Sequence, residues 1–320
     1  MQLTRIMQRH GVHQRTLGDL TVIRAGAEFD AALLIDRVQR NQFAIYEPAL
    51  APLLRRFVAA ADLRPWVRAD SGRYLVAIPR AWGARLAALC PPLAQHLDAH
   101  AAGRTGSWWE VDVAAPAGPQ ISWPLMGGFA APLDADVIPG ADVVTLAGGD
   151  AAALGLINSS LGRMLLRQIA AESQLPAGHS DVVARLPIPD DDAAANEALG
   201  DCVERLVAAA AARRAIEIEG GRRTLRDLGP AGATLGATLE RWWDLDFAAY
   251  RSAIARRFGG DIPERFRPEW EAWHTAQRGA LMRATETMAE LTGEIDRIVA
   301  DYYRLTEQER AIVADSGTAS

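Results

Sequence analysis

Between Leu281 and Leu305 apolar residues recur at alternating steps of three and four: Leu281, Ala284, Met288, Leu291, Ile295, Ile298, Tyr302 and Leu305. That spacing keeps one face of a helix apolar, and the surrounding sequence predicts the helix over 267–304. A seam of this length is not stable facing water and requires a partner helix. The stretch 193–217 offers one, with Leu199, Val203, Leu206 and Ala210 on a single face. The chain is therefore expected to close with a helical region built on a long antiparallel helix pair.

Upstream the periodicity changes. Residues 16–36 carry short apolar runs broken at Gly18-Asp19 and Ala25-Gly26, which predict two strands and a turn. A short helix is expected over 48–61. A strand follows over 72–80, where Tyr74, Val76 and Ile78 alternate. The segment 84–101 places Leu86, Leu89, Leu93 and Leu97 on one helical face, and 108–113 returns to strand. Residues 114–149 hold Pro116, Pro119, Pro124, Pro132 and Pro139, which predicts loops and short strands ending in 142–146. From 150 onward the pattern is helical: 151–171, a proline-bounded link LPIPDDD, 193–217, a helix around 235–258, and the seam helix. The fold class is α+β: a mixed strand and helix domain over 1–189, followed by a helical region over 190–320.

Charge is distributed unevenly. The chain has a net charge of -6, but residues 1–110 hold 14 Arg against 9 acids, while 111–320 hold 20 Arg against 31. A basic front on an acidic body suits a localised nucleic-acid footprint. There is no lysine, so every side-chain cation other than a protonated histidine is a planar, forked guanidinium. Six of these arginines fall within RRFVAAADLRPWVRADSGRYLVAIPR, residues 55–80, around a turn signal at Asp70-Ser71-Gly72. Forked donors on both sides of a hairpin suit phosphate or a guanine edge. The DNA-contact candidates are Arg64, Arg68, Arg73 and Arg80, with Arg104 as a further one. Trp66 is a candidate for packing beneath the hairpin or for wedging against DNA.

Other motifs are weaker. Gly148-Gly149 between an apolar run and a helix resembles a phosphate-binding turn, but the spacing is not G-x-G-x-x-G, and Asp150 caps the helix and repels phosphate. His96 and His100 are four apart without a third ligand at useful spacing. Trp242, Trp243, Trp270 and Trp273 stand among acids, which favours packing over base stacking. Asp190, Asp191 and Asp192 read as a solvated helix start. No metal, cofactor or catalytic constellation is expected in this chain. Two separated cysteines, a polar and basic start, and no apolar run of membrane-spanning length predict a cytoplasmic protein.

The order of these segments resembles the C-terminal specificity region of TaqI-like N6-adenine DNA methyltransferases, a region also found in fused restriction–methylation enzymes and phage-exclusion methyltransferases. The resemblance is carried by TLGDLTVIRAGAEFDAALLID, PLLRRFVAAADLRPWVRADSGRYLVAIPR, a helix ending before SWWEV, LGLINSSLGRMLLRQ, RLPIP and EIDRIVADYYRLTEQERAIV, and it covers roughly residues 15–315. It implies a target-recognition region that reads double-stranded DNA. In such enzymes a separate domain binds S-adenosylmethionine and holds the flipped adenine with an Asn-Pro-Pro-Tyr-type motif. Here Pro-Pro occurs only in Cys90-Pro91-Pro92-Leu93, and Ser122-Trp123-Pro124-Leu125 replaces a common tyrosine-proline-aspartate phrase.

The resemblance thus carries recognition without chemistry. It implies a subunit or fragment of a restriction-modification or phage-defence system, working with a methyltransferase in trans that supplies S-adenosylmethionine. Three alternatives stand beside it. One is a complete adenine methyltransferase; another is a small-molecule enzyme using the Gly148-Gly149 turn. The third is a protein-interaction subunit that reads no DNA.

Overall fold

The computed structural model describes residues 15–106, 108–111, 118, 120–189 and 192–317. The fold is α+β, with two four-stranded sheets, a small hairpin and long helices. Two compact units are formed: one comprises the chain up to Asp201 together with Ile295 onward, the other Cys202–Glu294.

The first unit opens with a single turn of helix, α1 (Leu17–Leu20), where strand was expected. The cause is local: the Asp19 carboxylate accepts both the Thr16 amide (2.7 Å) and the Thr16 hydroxyl (2.8 Å), closing the turn. The two strands expected before residue 36 do form, β1 (Val22–Ala25) and β2 (Leu34–Asp36), but they enter different sheets. Helix α2 (Arg37–Tyr46) starts at Asp36, whose side chain accepts the Gln39 amide.

The helix expected over 48–61 is not formed. A 3₁₀ segment occupies Pro48–Leu53, and strand β3 (Leu54–Val58) follows. Pro52 lacks an amide hydrogen, and β3 is paired on both edges, antiparallel to β6 (Arg73–Val76) and parallel to β9 (Val137–Pro139). Pairing on both sides decides the conformation over local helix propensity. Between β3 and β6 lies a separate hairpin, β4 (Leu63–Arg64) and β5 (Val67–Arg68). The first sheet has the order β2-β6-β3-β9. Its core takes Leu50, Leu54, Leu75 and Ile78 together with Leu86, Leu93 and Leu97.

Those leucines come from two helices, α3 (Gly83–Leu89) and α4 (Pro91–Ala99), where one was expected. The break falls at Cys90, before Pro91. Glu110 bridges Ile78 and the Val111 amide donates to the Ile78 carbonyl, but Trp108 and Trp109 form a turn and not the expected strand; residues 112–113 lie outside the described residues. The second sheet, β1-β10-β7-β8, pairs β7 (Gln120–Pro124), β8 (Ala131–Leu133) and β10 (Val143–Ala147) with β1, all antiparallel. Strands β7 and β10 are central and almost wholly buried; β10 is a near-continuous apolar run, whereas β7 buries Gln120 and Ser122 along with Ile121 and Trp123. Gly26 allows the close approach of β1's end to the chain at Gly140: a Cβ there would lie 2.2 Å from the Gly140 carbonyl oxygen.

Helices α5 (Ala151–Asn158) and α6 (Ser160–Ser173) split the expected 151–171 helix at Ser159, whose hydroxyl accepts the Gly162 amide. A short helix α7 (Ser180–Ala184) follows. Helix α8 (Ala193–Leu228) runs past the expected end at 217.

In the second unit, α9 (Ala237–Glu240) and α10 (Phe247–Phe258) pack with α8 and with α11 (Arg267–Tyr302) around Trp242, Tyr250, Ile254 and Trp270. The antiparallel pairing of α8 and α11 is fixed by two contacts: Cys202 Sγ to the Leu291 carbonyl and Arg223 to Glu269 at 2.9 Å. Leu199, Val203, Leu206 and Ala210 are all buried, as expected. The seam on α11 differs in its last turns. Leu281, Leu291 and Ile295 are buried, but the next buried positions are Val299 and Tyr303, not Ile298 and Tyr302. Successive four-residue steps replace the heptad alternation there, so α11 ends as an ordinary amphipathic helix. A final helix α12 (Glu307–Gly317) returns to the first unit and packs on α6.

Candidate nucleic-acid interface

The turn of the β4–β5 hairpin is Pro65-Trp66, not Asp70-Ser71-Gly72. Proline followed by a residue with positive φ is the type II arrangement, and Trp66 has φ +67°, a conformation that bulky residues seldom adopt. Its side chain is buried, with the residue 3% exposed, so Trp66 packs under the hairpin. The hairpin's base is closed by the Ala69 amide donating to the Asp62 carbonyl at 2.7 Å. Asp70 acts next door, accepting the Gly72 amide (2.9 Å) and the Arg37 guanidinium (2.6 Å).

The arginines around this hairpin have distinct surroundings. Arg73 binds Asp62 at 2.7 Å and lies over the Phe57 ring at 5.3 Å. Asp62 is buried and also accepts the Ala59 amide, so Arg73 supplies the charge that makes its burial tolerable. Arg68, largely buried, approaches Asp134 at 3.4 Å. Arg56 binds both Asp134 and Asp136, and its hydrogen bond holds the Asp136 carboxyl below the usual carboxylate range against the opposing effect of burial. Arg55 donates to the Ala135 and Asp136 carbonyls.

Arg64 is different. It is exposed at the hairpin mouth, and its guanidinium donates to the Ala61 (2.8 Å) and Leu63 (3.2 Å) carbonyls. No acid among the described residues pairs with it. Arg80 is exposed at the start of a 3₁₀ turn, Arg80–Trp82, and is itself engaged in an interaction.

Arg104 is fixed elsewhere, after α4. Its fork binds the Asp30 carboxylate at 2.6 and 2.7 Å, it donates to the His100 carbonyl, and it lies 4.7 Å from the Trp108 ring centroid. The Arg104 hydrogen bond, helped by the Ala32 amide, pulls the Asp30 carboxyl down to about 2. The structure therefore places Arg64 and Arg68 on the β4–β5 hairpin, ties Arg73 of β6 to its base through Asp62, and places Arg104 at a separate clasp.

Acids are what the one-dimensional charge count missed. Asp134 and Asp136 belong to the acidic part of the sequence, yet the β8–β9 connection carries them to Arg56 and Arg68. No sequence signal marked that parallel β3–β9 pairing.

The remaining motifs resolve into structural roles. Asp150 caps α5 through the Ala153 amide at 2.8 Å, and its carboxylate takes the place that a phosphate would need at that helix start. The Gly148-Gly149 turn lines a pocket of about 340 Å³ together with Arg15, Asn196 and Tyr302. His96 bonds the Ala32 carbonyl and His100 the His96 carbonyl; among the described residues no group of three or more His, Cys, Asp or Glu could hold a metal ion. The four tryptophans pack in the second unit's core. No described helix is long and apolar enough to cross a membrane.

A family model described as a domain of unknown function, DUF8810, matches residues 192–299. No curated protein matches the chain. Among solved structures, the Type IIL restriction-modification enzyme MmeI in complex with DNA is similar at 13% identity and a TM-score of 0.47. The match covers 88% of this chain and 37% of that one, so the chain spans little more than a third of that enzyme's length.

Proposed function

We propose that the first unit reads double-stranded DNA as the target-recognition part of an adenine-specific methylation or restriction-modification system. The observation that carries this is Arg64: an exposed guanidinium beside a rigid Pro65-Trp66 turn, held by backbone carbonyls and by no acidic side chain among the described residues. A cation fixed in direction but not neutralised is suited to a phosphate or a guanine edge. The motif order shared with the specificity regions of N6-adenine methyltransferases supports the same reading.

Arg80 is the second contact in this reading. Arg68 and Arg73 shape the hairpin and meet DNA only if it competes with Asp134 and Asp62. The methyl transfer and the S-adenosylmethionine belong to a methyltransferase partner, and the helical unit serves as spacer or docking surface. A phage-defence setting is part of the same proposal.

Selection from randomised duplexes should return an enriched sequence with the wild-type chain. Arg64→Ala should either relax one base position, at about 1–3 kcal/mol, or weaken all sequences with a smaller salt slope. An unchanged selection and unchanged affinity would remove the hairpin from the model. Calorimetry with S-adenosylmethionine should give no heat of binding with this chain alone.

A further inference from the structure

Away from the hairpin, in the same unit, lies a pocket of about 210 Å³ between β7, the loop that follows it, and helices α5 and α6. Its walls are apolar: Trp123, Phe129, Ile157, Leu166 and Val183. Only three lining side chains carry polar groups, and one of them is spent, because the Trp123 indole N–H donates to the Gly178 carbonyl at 2.8 Å. The others are Arg163 and Arg167, one turn apart on α6, and Arg167 is itself engaged in an interaction.

Arg163 is poorly compensated. Its guanidinium lies 4.6 Å from the Phe129 ring centroid, while its Nε is buried without a hydrogen-bond partner among the described residues. The nearby acid, Asp296, is occupied by the Ser160 amide (2.7 Å) and hydroxyl (2.8 Å). Burial lowers the pKa of Arg163; Asp296 opposes that shift and the neighbouring Arg167 adds to it. A cation set into apolar walls with no anion in hydrogen-bond contact is costly unless a ligand supplies one. One wall is closely packed, and the adjoining loop takes a backbone form that glycine permits. A Cβ on Gly178 would lie 2.0 Å from the Pro124 carbonyl oxygen, and Gly127 and Gly128 hold φ of +100° and +141°.

We propose that this pocket binds a small carboxylate with a flat or branched apolar body, its two oxygens on the Arg163 fork and its body against Trp123, Phe129 and Leu166. A planar monoanion matches a guanidinium edge in a bidentate pair. Phosphate, by contrast, needs more donors than these walls supply. The volume is below the roughly 300–1,000 Å³ of drug-sized sites, which limits the body to about one ring. This site is independent of the hairpin and of DNA.

The test is titration of the whole chain with benzoate, followed by calorimetry or by NMR of the Trp123 indole. Saturable one-to-one binding is expected, with Kd of about 1 mM or tighter. Benzyl alcohol, which keeps the ring and loses the charge, should bind at least about tenfold more weakly. Arg163→Met should lose a similar factor while thermal unfolding stays cooperative. Three outcomes would overturn the proposal: no saturation by benzoate, equal binding of the neutral alcohol, or inorganic phosphate displacing benzoate at matched concentration. The comparison of ligands on the wild-type chain stands even if the variant fails to fold.

Discussion

Replacing Arg73 by alanine is the change that best separates a DNA-reading residue from a structural one. Arg73 spans the segment beneath the hairpin, bonding Asp62 at 2.7 Å and covering Phe57. Asp62 is only 7% exposed and retains one further donor, the Ala59 amide, after the substitution. Removing one partner of a fully buried pair costs about 3–5 kcal/mol, whereas exposed pairs contribute about 0–1 kcal/mol. The Arg73 side chain is 39% exposed, so water reaches its end of the bond and the cost falls between those limits, at about 2 kcal/mol. Arg64→Ala, which frees two carbonyls into solvent, should stay within about 0.5 kcal/mol. The assay is hydrogen exchange of the Leu75 and Val76 amides in β6, which reports the first unit without mixing in the second. A double-mutant cycle with Asp62→Ala should return coupling above about 1 kcal/mol. Coupling near zero, or a loss from Arg64→Ala as large as from Arg73→Ala, would refute the assignment of Arg73 to structure and Arg64 to recognition.

Three further outcomes follow from the packing. Gly220→Ala should destabilise the second unit by about 1–3 kcal/mol in urea unfolding, although alanine is the better helix former, because a Cβ there meets the Trp242 ring at 2.3 Å. His274 is buried against Tyr250, and burial pushes its pKa below the ordinary 6.5. The unfolded chain therefore binds a proton near pH 6.5 that the folded chain refuses, so Tm should be level above that pH and fall below it, with a shallower fall in His274→Phe. Asp30, drawn to about 2 by the Arg104 fork and the Ala32 amide, contributes stability above its unfolded pKa of 3.8. That contribution should fade as pH falls from about 4 to 2, and Arg104→Gln should make the acid-range fall shallower in a pH titration of unfolding, the other lowered carboxylates, Asp136 among them, keeping their share.

What the sequence made legible was the part governed by local period. The seam on α11 and its partner face on α8 could be read because apolar spacing alone specifies which side of a helix is buried. The strand at 73–76 was legible from the spacing of Tyr74, Val76 and Ile78, although Leu75 and Ala77 are buried as well and burial there does not alternate. What could not be read depended on pairing far along the chain. LRRFV at β3 looks helical beside PALAPLL and becomes strand only because β6 and β9 flank it. Helix α8 continues past the expected end at 217 through Gly220, where Trp242 occupies the space that a side chain would take. The same limit explains Arg163, which lies within LGLINSSLGRMLLRQ without being marked there as a site and gains interest only from the walls that fold about it.

Charge shows this limit most sharply. Counted along the chain, the front is basic; folded, Arg104 meets Asp30, Arg73 meets Asp62, Arg37 meets Asp70, and Arg56 and Arg68 meet acids from the β8–β9 connection. The five guanidinia already held by carboxylates add little general attraction for phosphate, because a DNA contact at any of them would first have to break an ion pair. Non-specific affinity should accordingly be low and its salt slope shallow. On the proposed reading, discrimination falls to the cations that no acid among the described residues neutralises, Arg64 among them. That combination favours reading over gripping: a unit of this kind would depend on a partner to hold the duplex, and would add to the complex a choice of sequence more than a gain in binding.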